Sequence, residues 1–136
     1  MKTLITLIAS LSLAACAGMM SGGHTVNLTL SGAQEVPPIS VAGSGSGSFT
    51  IAEDGTVTGS VTTAGVEGTM AHIHNAASGK NGPVILPLTK NGDTYSAPAG
   101  AKLTPAQMQE FKAGNLYVNV HTNRNKGGEV RAQLKP

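Results

Sequence analysis

The sequence is poor in aromatic and charged residues. It has no tryptophan, two phenylalanines and two tyrosines, and charged residues make up 12% of its 136 positions. The formal net charge is +2, so there is no general basic field to attract a nucleic acid. The scarcity of aromatic rings also argues against a stacking platform for single strands. We therefore expect no nucleic-acid partner.

Cysteine is almost absent, with Cys16 as the one example. A single thiol excludes an intramolecular disulfide, and it excludes Cys-rich zinc and iron–sulfur sites. The sequence also lacks Leu-rich helical runs after its N-terminus, whereas it holds 18 glycines and many threonines. This composition argues against a helical bundle and predicts a small all-β domain.

The N-terminal segment resembles a bacterial lipoprotein signal. Lys2 precedes an apolar run at residues 4–13, and residues 13–16 read Leu-Ala-Ala-Cys, which is similar to a lipobox. We predict a signal peptide at 1–15, a lipidated Cys16 with a flexible tether through residue 23, and a domain at 24–136. The alternative is a plain secretory signal with a chance cysteine.

Lipidation of Cys16 predicts an exported protein that is anchored to the cell envelope through membrane lipid. Ala17 follows the cysteine instead of an aspartate. In a Gram-negative host this resembles an outer-membrane sorting signal, so the domain would face the periplasm or the cell surface.

The remaining sequence alternates apolar and polar residues in short runs. In residues 24–30, Val26, Leu28 and Leu30 fall on one face of a strand. We interpret the Gly-Ser run at 43–47 as a turn that leads into a strand with Phe49 and Ile51. Further strands are expected at 57–61, 70–74, 83–88, 92–97, 116–121 and 129–134, with hairpin turns at Asp54-Gly55 and Lys90-Asn91-Gly92. About eight strands in about 110 residues predict a Greek-key sandwich or flattened barrel.

One short helix is expected among these strands. Thr104 is a favourable N-cap, Pro105 suits the first helical position, and Gln107 completes a capping box. Gly114 provides the stop.

Three histidines are placed by this alternation on polar strand faces. His72 and His74 share a face because residues two apart on a strand point the same way, while Ala71 and Ile73 point to the core. His121 lies on the polar side of its own strand. If these strands are neighbours, the three imidazoles converge into a site that suits zinc, copper or nickel. The alternative is a surface pair whose rings cap loop carbonyls.

Other polar residues are candidates to support such a site. Tyr117 and Asn119 share the face of His121, and Arg131 and Glu129 lie on the polar side of the last strand. Glu35 and Glu129 are candidate carboxylate ligands or hydrogen-bond acceptors for the histidines. His24 is expected to be a solvated residue at the start of a strand. The polar loop at 75–82 either closes over the site or is a simple connection, and we favour the connection.

Catalytic patterns are otherwise weak. No Ser-centred elbow is present, the Gly-Ser run lacks the lysine of a phosphate loop, and Glu53-Asp54 is typical of a turn. A hydrolase that uses the histidines as general bases has no assignable nucleophile or carboxylate partner.

Several blocks of the sequence, in the right order, resemble the CHRD (chordin-type) domain family. They cover residues 28–135 and read LSGAQEVPP at 30–38, AHIH at 71–74, GPV at 82–84, LTPAQ at 103–107, GNLYVNVHT at 114–122 and GEVRAQ at 128–133. Small departures from the family pattern are Asn75, Lys126, Val130 and Ala132. In animals the domain occurs in chordin, an extracellular antagonist of growth factors, and in bacteria it is common in exported proteins that mostly lack an assigned activity.

The resemblance implies an immunoglobulin-like Greek-key fold similar to that of copper–zinc superoxide dismutase. That enzyme carries a His-x-His pair, a later histidine and a C-terminal arginine near its copper, and His72, His74, His121 and Arg131 occur here in the same order. Its bridging histidine and zinc ligands have no counterpart. The resemblance therefore implies a mononuclear copper site, with zinc as the alternative metal, and with Arg131 able to attract a small anion.

These observations favour an exported, membrane-anchored copper-binding protein that buffers, delivers or cycles copper, with a copper-donor or envelope protein as its partner. We expect binding rather than catalysis. The alternatives are a metal-free adhesion or protein-interaction module and a copper-dependent, superoxide dismutase-like oxidoreductase.

Overall fold

Alternating apolar residues form nine antiparallel strands in the computed structural model, which describes residues 22–136. The predicted signal peptide, Cys16 and most of the tether lie outside the described residues. The strands are β1 Gly23–Ser31, β2 Ser44–Ala52, β3 Val57–Ala64, β4 Gly68–Asn75, β5 Val84–Pro87, β6 Thr89–Asn91, β7 Thr94–Ser96, β8 Leu116–Thr122 and β9 Val130–Leu134.

The strands form one sheet in the order β5-β4-β8-β9-β1-β2-β3-β7-β6. Its two outermost strands, β5 and β6, are consecutive parts of one extended segment with only Leu88 between them. The backbone N–H of Leu88 donates to the carbonyl of Ala71 in β4 at 3.0 Å, while β6 pairs with β7. The segment therefore joins both edges, and the sheet curls into a nearly closed barrel. The predicted all-β fold of about eight strands is confirmed, because β5 and β6 act as one strand.

The chain crosses the barrel between strands that are not neighbours. Consecutive strands β3 and β4 lie apart in the sheet, as do β7 and β8, whereas β1, β2 and β3 follow one another as a meander. These are Greek-key connections, and they bring β4 beside β8. The neighbourhood of β4 and β8 is what the predicted histidine cluster requires.

The barrel interior holds the apolar side of every long strand. Leu30, Phe49, Val61, Ile73 and Val118 are fully buried there. Each such side chain contributes about 1.5–3 kcal/mol through removal from water. This burial fixes which face of each strand points outward.

The helix α1, Pro105–Lys112, begins and ends as predicted. The Thr104 hydroxyl accepts the backbone N–H of Gln107 at 3.2 Å, and the Gln107 side chain accepts the N–H of Thr104 at 2.9 Å. Phe111 anchors the helix in the core. In residues 22–136, no helix has both the length and the apolar character needed to cross a membrane.

The prediction of a turn at residues 43–47 is wrong, because β2 begins at Ser44 and includes Gly45 and Gly47. A Cβ at Gly47 would overlap the carbonyl oxygen of Ser60 in β3. The glycines thus permit close strand approach and do not mark a turn.

The prediction that residues 83–88 pair with 92–97 is also wrong. β5 pairs with β4, and only the short β6 pairs with β7 across the turn at Gly92 and Asp93. The turn itself is where we expected it, with Gly92 in the left-handed region at φ 60°.

Gly59 provides a test of the close packing between β2 and β3. Its φ is 116°, and a Cβ there would overlap the carbonyl oxygen of Ser48. We expect Gly59→Ala to lower the free energy of unfolding by about 2 kcal/mol or more, through backbone strain and overpacking. Denaturant unfolding measures this value.

Gly127→Ala is the matched control, because a Cβ at Gly127 meets nothing within 4 Å. We expect it to change the free energy of unfolding by less than about 0.5 kcal/mol. Equal stability of the two variants would contradict the packing argument.

Candidate metal site

The register of β4 and β8 brings three histidines together on the outer face of the barrel. Met70 pairs with His121, His72 with Asn119, and His74 with Tyr117. Nδ1 of His72 lies 3.0 Å from Nε2 of His121. One ring nitrogen from each of His72, His74 and His121 lies within 4.8 Å of the other two. Ligand nitrogens about 2 Å from an ion require only a small contraction of this cluster. The predicted convergence is confirmed.

Two backbone carbonyls determine which ring nitrogen of His74 and of His121 donates a proton. Nδ1 of His74 lies 2.9 Å from the carbonyl oxygen of Gly82, and Nδ1 of His121 lies 2.8 Å from that of Lys126. A carbonyl only accepts hydrogen bonds, so both Nδ1 atoms carry a proton, and the neutral form of each ring has its lone pair on Nε2. Nε2 of His74 is buried and has no hydrogen-bond partner. A buried, unpartnered nitrogen on a ring whose centroid lies 5.5 Å from that of His72 and 5.8 Å from that of His121 fits a metal ion.

His72 completes the cluster through a hydrogen bond. Since Nε2 of His121 is an acceptor, Nδ1 of His72 donates its proton to it at 3.0 Å. Burial, assisted by His121 and His74, lowers the pKa of His72 to about 4. Burial also lowers the pKa of His74. Both rings are therefore neutral near pH 7, as metal ligation requires.

Tyr117 and Arg131 form a stack beside the cluster. The ring of His74 lies parallel to that of Tyr117, with centroids 4.7 Å apart, and Cζ of Arg131 lies 3.4 Å from the Tyr117 centroid. Because β8 lies between β4 and β9, Tyr117 receives one neighbour from each side. The stack fixes the plane of the His74 ring.

The β4–β5 loop, residues 76–83, covers this outer face. Arg131 is only 1% exposed, and its guanidinium donates to the carbonyl of Lys80 at 2.8 Å and to Oδ1 of Asn81 at 3.1 Å. Gln133 donates to the carbonyl of Ala76 at 2.9 Å. Our preference for a simple connection is therefore wrong: the loop closes over the polar face because buried donors need its carbonyls. Attraction of an anion by Arg131 stays a prediction.

Glu35 and Asn119 lie near the cluster without joining it. Among the described residues, the grouping of potential ligands contains the three histidines and neither Glu35 nor Glu129. Glu35 is 4% exposed, and Oε1 of Glu35 and Oδ1 of Asn119 have no hydrogen-bond partner. Burial raises the pKa of Glu35 to about 7, although Arg131 and Asn119 oppose the rise.

Glu129 organises the β8–β9 turn, residues 123–129. Its carboxylate accepts Oγ1–H of Thr122 at 3.2 Å and Nδ2–H of Asn125 at 2.9 Å. This turn carries the Lys126 carbonyl that orients His121. Glu129 is thus an acceptor, as expected, but its donors lie in and beside the turn. It orients His121 only indirectly, through the backbone of that turn.

The remaining predictions place residues away from the cluster. His24 is exposed at the start of β1, as expected, and its ring lies 6.2 Å from Phe111.

Sequence reasoning missed the carbonyls of Gly82 and Lys126. Of these two residues, only Gly82 stood out in the sequence, because it begins the GPV block at 82–84. The structure gives the reason for a glycine here: a Cβ would overlap the carbonyl of Asn75, so the loop backbone passes too close to that residue for a side chain.

The protein is therefore a small all-β domain of the Greek-key barrel class. It carries a candidate metal site on the outer face of the barrel, where three imidazoles converge. The model of the CHRD domain matches residues 26–134, and the chain belongs to this family. Comparison with curated proteins and with solved structures gives no significant match. The likeness to superoxide dismutase stays a prediction.

The buried carboxyl of Glu35 predicts a pH dependence of stability. Its pKa rises from 4.5 in the unfolded chain to about 7 in the folded protein. The contribution of its protonated form to the free energy of unfolding is therefore fully present below pH 4.5 and is lost as pH rises to about 7. We expect metal-free Glu35→Gln to gain stability relative to the unsubstituted protein across this window, on the order of 3 kcal/mol. Denaturant unfolding at a series of pH values measures the difference.

His72 contributes in the opposite direction, because its lowered pKa adds stability as pH rises from about 4 to 6.5. This contribution is present in both proteins, so it cancels in the difference between their free energies of unfolding. Glu53→Gln, which removes an exposed carboxyl, is the matched control. Parallel profiles for Glu35→Gln and the unsubstituted protein would contradict the assignment.

Proposed function

We propose that this protein is an exported, lipid-anchored copper-binding protein that holds one ion between His72, His74 and His121. The observations that carry the proposal are the buried, unpartnered Nε2 of His74 and the grouping of one ring nitrogen from each of the three histidines within 4.8 Å of one another. An unsatisfied buried lone pair costs about 1–3 kcal/mol, and a bound ion removes that cost.

Copper is supported by the donor set. The grouped ligands among residues 22–136 are three neutral imidazoles with no carboxylate. For nitrogen donors, affinity among the divalent first-row metals is highest for copper. Three ligands also leave a position open for exchange with a partner. Zinc is the alternative metal, and a direct comparison of the two ions distinguishes them.

Buffering or delivery of copper is supported over turnover of superoxide. An anion-attracting cation must be accessible, whereas the guanidinium of Arg131 is 1% exposed and is occupied by Lys80, Asn81 and Tyr117. The stack and the loop hold the ligands in place, which suits reversible binding.

An anchor at Cys16 is compatible with access to the site. β1 begins at Gly23, close to the proposed tether, and ends at Ser31, which pairs with Arg131 near the histidines. Nine residues of strand extend for about 27 Å. The anchor and the site are thus separated by the length of β1, which leaves the histidines accessible to a copper-donor or envelope protein.

Titration of the purified protein with Cu(I), Cu(II) and Zn(II) tests the proposal. We expect one equivalent of tightly bound copper, and we expect His72→Ala, His74→Ala and His121→Ala each to weaken binding by roughly 100-fold or more, since each removes a ligand. Competition with chromophoric chelators measures the affinities.

His24→Ala is the matched control, because His24 is exposed and lies outside the cluster. It should bind copper like the unsubstituted protein. Absence of stoichiometric copper binding would refute the proposal and favour the metal-free interaction module. Preference for zinc over both copper ions would refute the choice of metal.

A further inference from the structure

Met70 borders the histidine cluster on its open side. It precedes His72 by two residues on β4, and the intervening Ala71 is buried in the core, so Met70 and His72 share the outer face. In the register of the sheet, Met70 lies directly opposite His121. Its side chain is 50% exposed, whereas the loop covers His74 at the other end of the row.

The reach of a methionine side chain fits this position. Directly opposed residues on antiparallel strands have Cβ atoms about 5 Å apart, and residues two apart on one strand are separated by about 7 Å. His72 and His121, whose ring nitrogens already lie 3.0 Å apart, both neighbour Met70 in the sheet. An unbranched thioether with three rotatable bonds can turn towards both rings.

The charge around the cluster favours a monovalent ion. Three imidazoles and a thioether are all neutral ligands, so none of them balances the charge of a divalent ion. Arg131, stacked on the Tyr117 ring that also contacts His74, adds a buried positive charge, and Glu35, the buried carboxyl that interacts with Arg131, lies outside the grouped ligands. In a partly buried site an uncompensated charge is costly, and the cost is greater for a divalent than for a monovalent ion.

We infer that Met70 is a fourth ligand whose soft sulfur makes the site selective for Cu(I) over Cu(II) and Zn(II). This inference rests on the proposed copper site and assigns its oxidation state. Exchange of the ligand is simple because Met70 is exposed, so a copper-donor protein can displace the sulfur before it reaches the buried histidines.

Met70→Leu tests the inference, since it keeps an apolar side chain of similar size and removes the sulfur. We expect Cu(I) binding to weaken by roughly tenfold while Cu(II) affinity changes by less than about twofold, because thioether sulfur binds Cu(I) preferentially. The affinities are measured by chelator competition under reducing and oxidising conditions. X-ray absorption at the copper edge should show a sulfur scatterer for the Cu(I) protein and none for Met70→Leu.

Met108→Leu is the matched control, because it makes the same chemical change on the half-buried side of α1, away from the cluster. It should retain both the Cu(I) affinity and the sulfur signal. If Met70→Leu also retains both, the inference is overturned while the three-histidine site stands. If the unsubstituted protein binds no copper, the proposed function fails as well.

Discussion

The antiparallel pairing of β4 with β8 is the constraint on which the candidate site depends. Its register sets His72 and His74 opposite Asn119 and Tyr117, and it sets His121 opposite Met70. Side chains alternate between the two faces of a strand, so a slip of one residue would send the imidazoles into the core and Ile73 into solvent. Burial of Ile73 and Val118 therefore fixes the positions of the histidines as firmly as any contact between them.

Much of this arrangement follows from local sequence pattern. Alternation places Ala71 and Ile73 in the core and the histidines outside, and the capping residues around Thr104 define the helix. What local pattern does not contain is the path of residues 84–91, because the two halves of this segment pair with different strands, β4 and β7, at opposite ends of the sheet order. The cover over Arg131 is equally non-local, since it depends on where the β4–β5 loop lies in space. The polar strand faces were predicted, but their burial was not.

The domain consequently has a second, polar interior outside the barrel wall. Arg131, Asn119, Tyr117 and Glu35 are buried there, and the first three donate hydrogen bonds to loop carbonyls. Buried polar groups stabilise a fold only when they are satisfied, and those that remain unpaired here, at Glu35, His74 and Asn119, lie near one another around the site. The layer holds the three histidines in place, and its unpaired atoms leave polar groups that a bound ion could satisfy at the candidate site.

The closure of the barrel by the segment from Val84 to Asn91 has a consequence for association between copies. Within residues 22–136, the strands that end the sheet are only four and three residues long, Pro87 removes a backbone donor from this segment, and Pro83 directly precedes it. An intermolecular sheet needs a longer row of free backbone groups. The domain thus resists strand-to-strand aggregation, even where many copies lie close together.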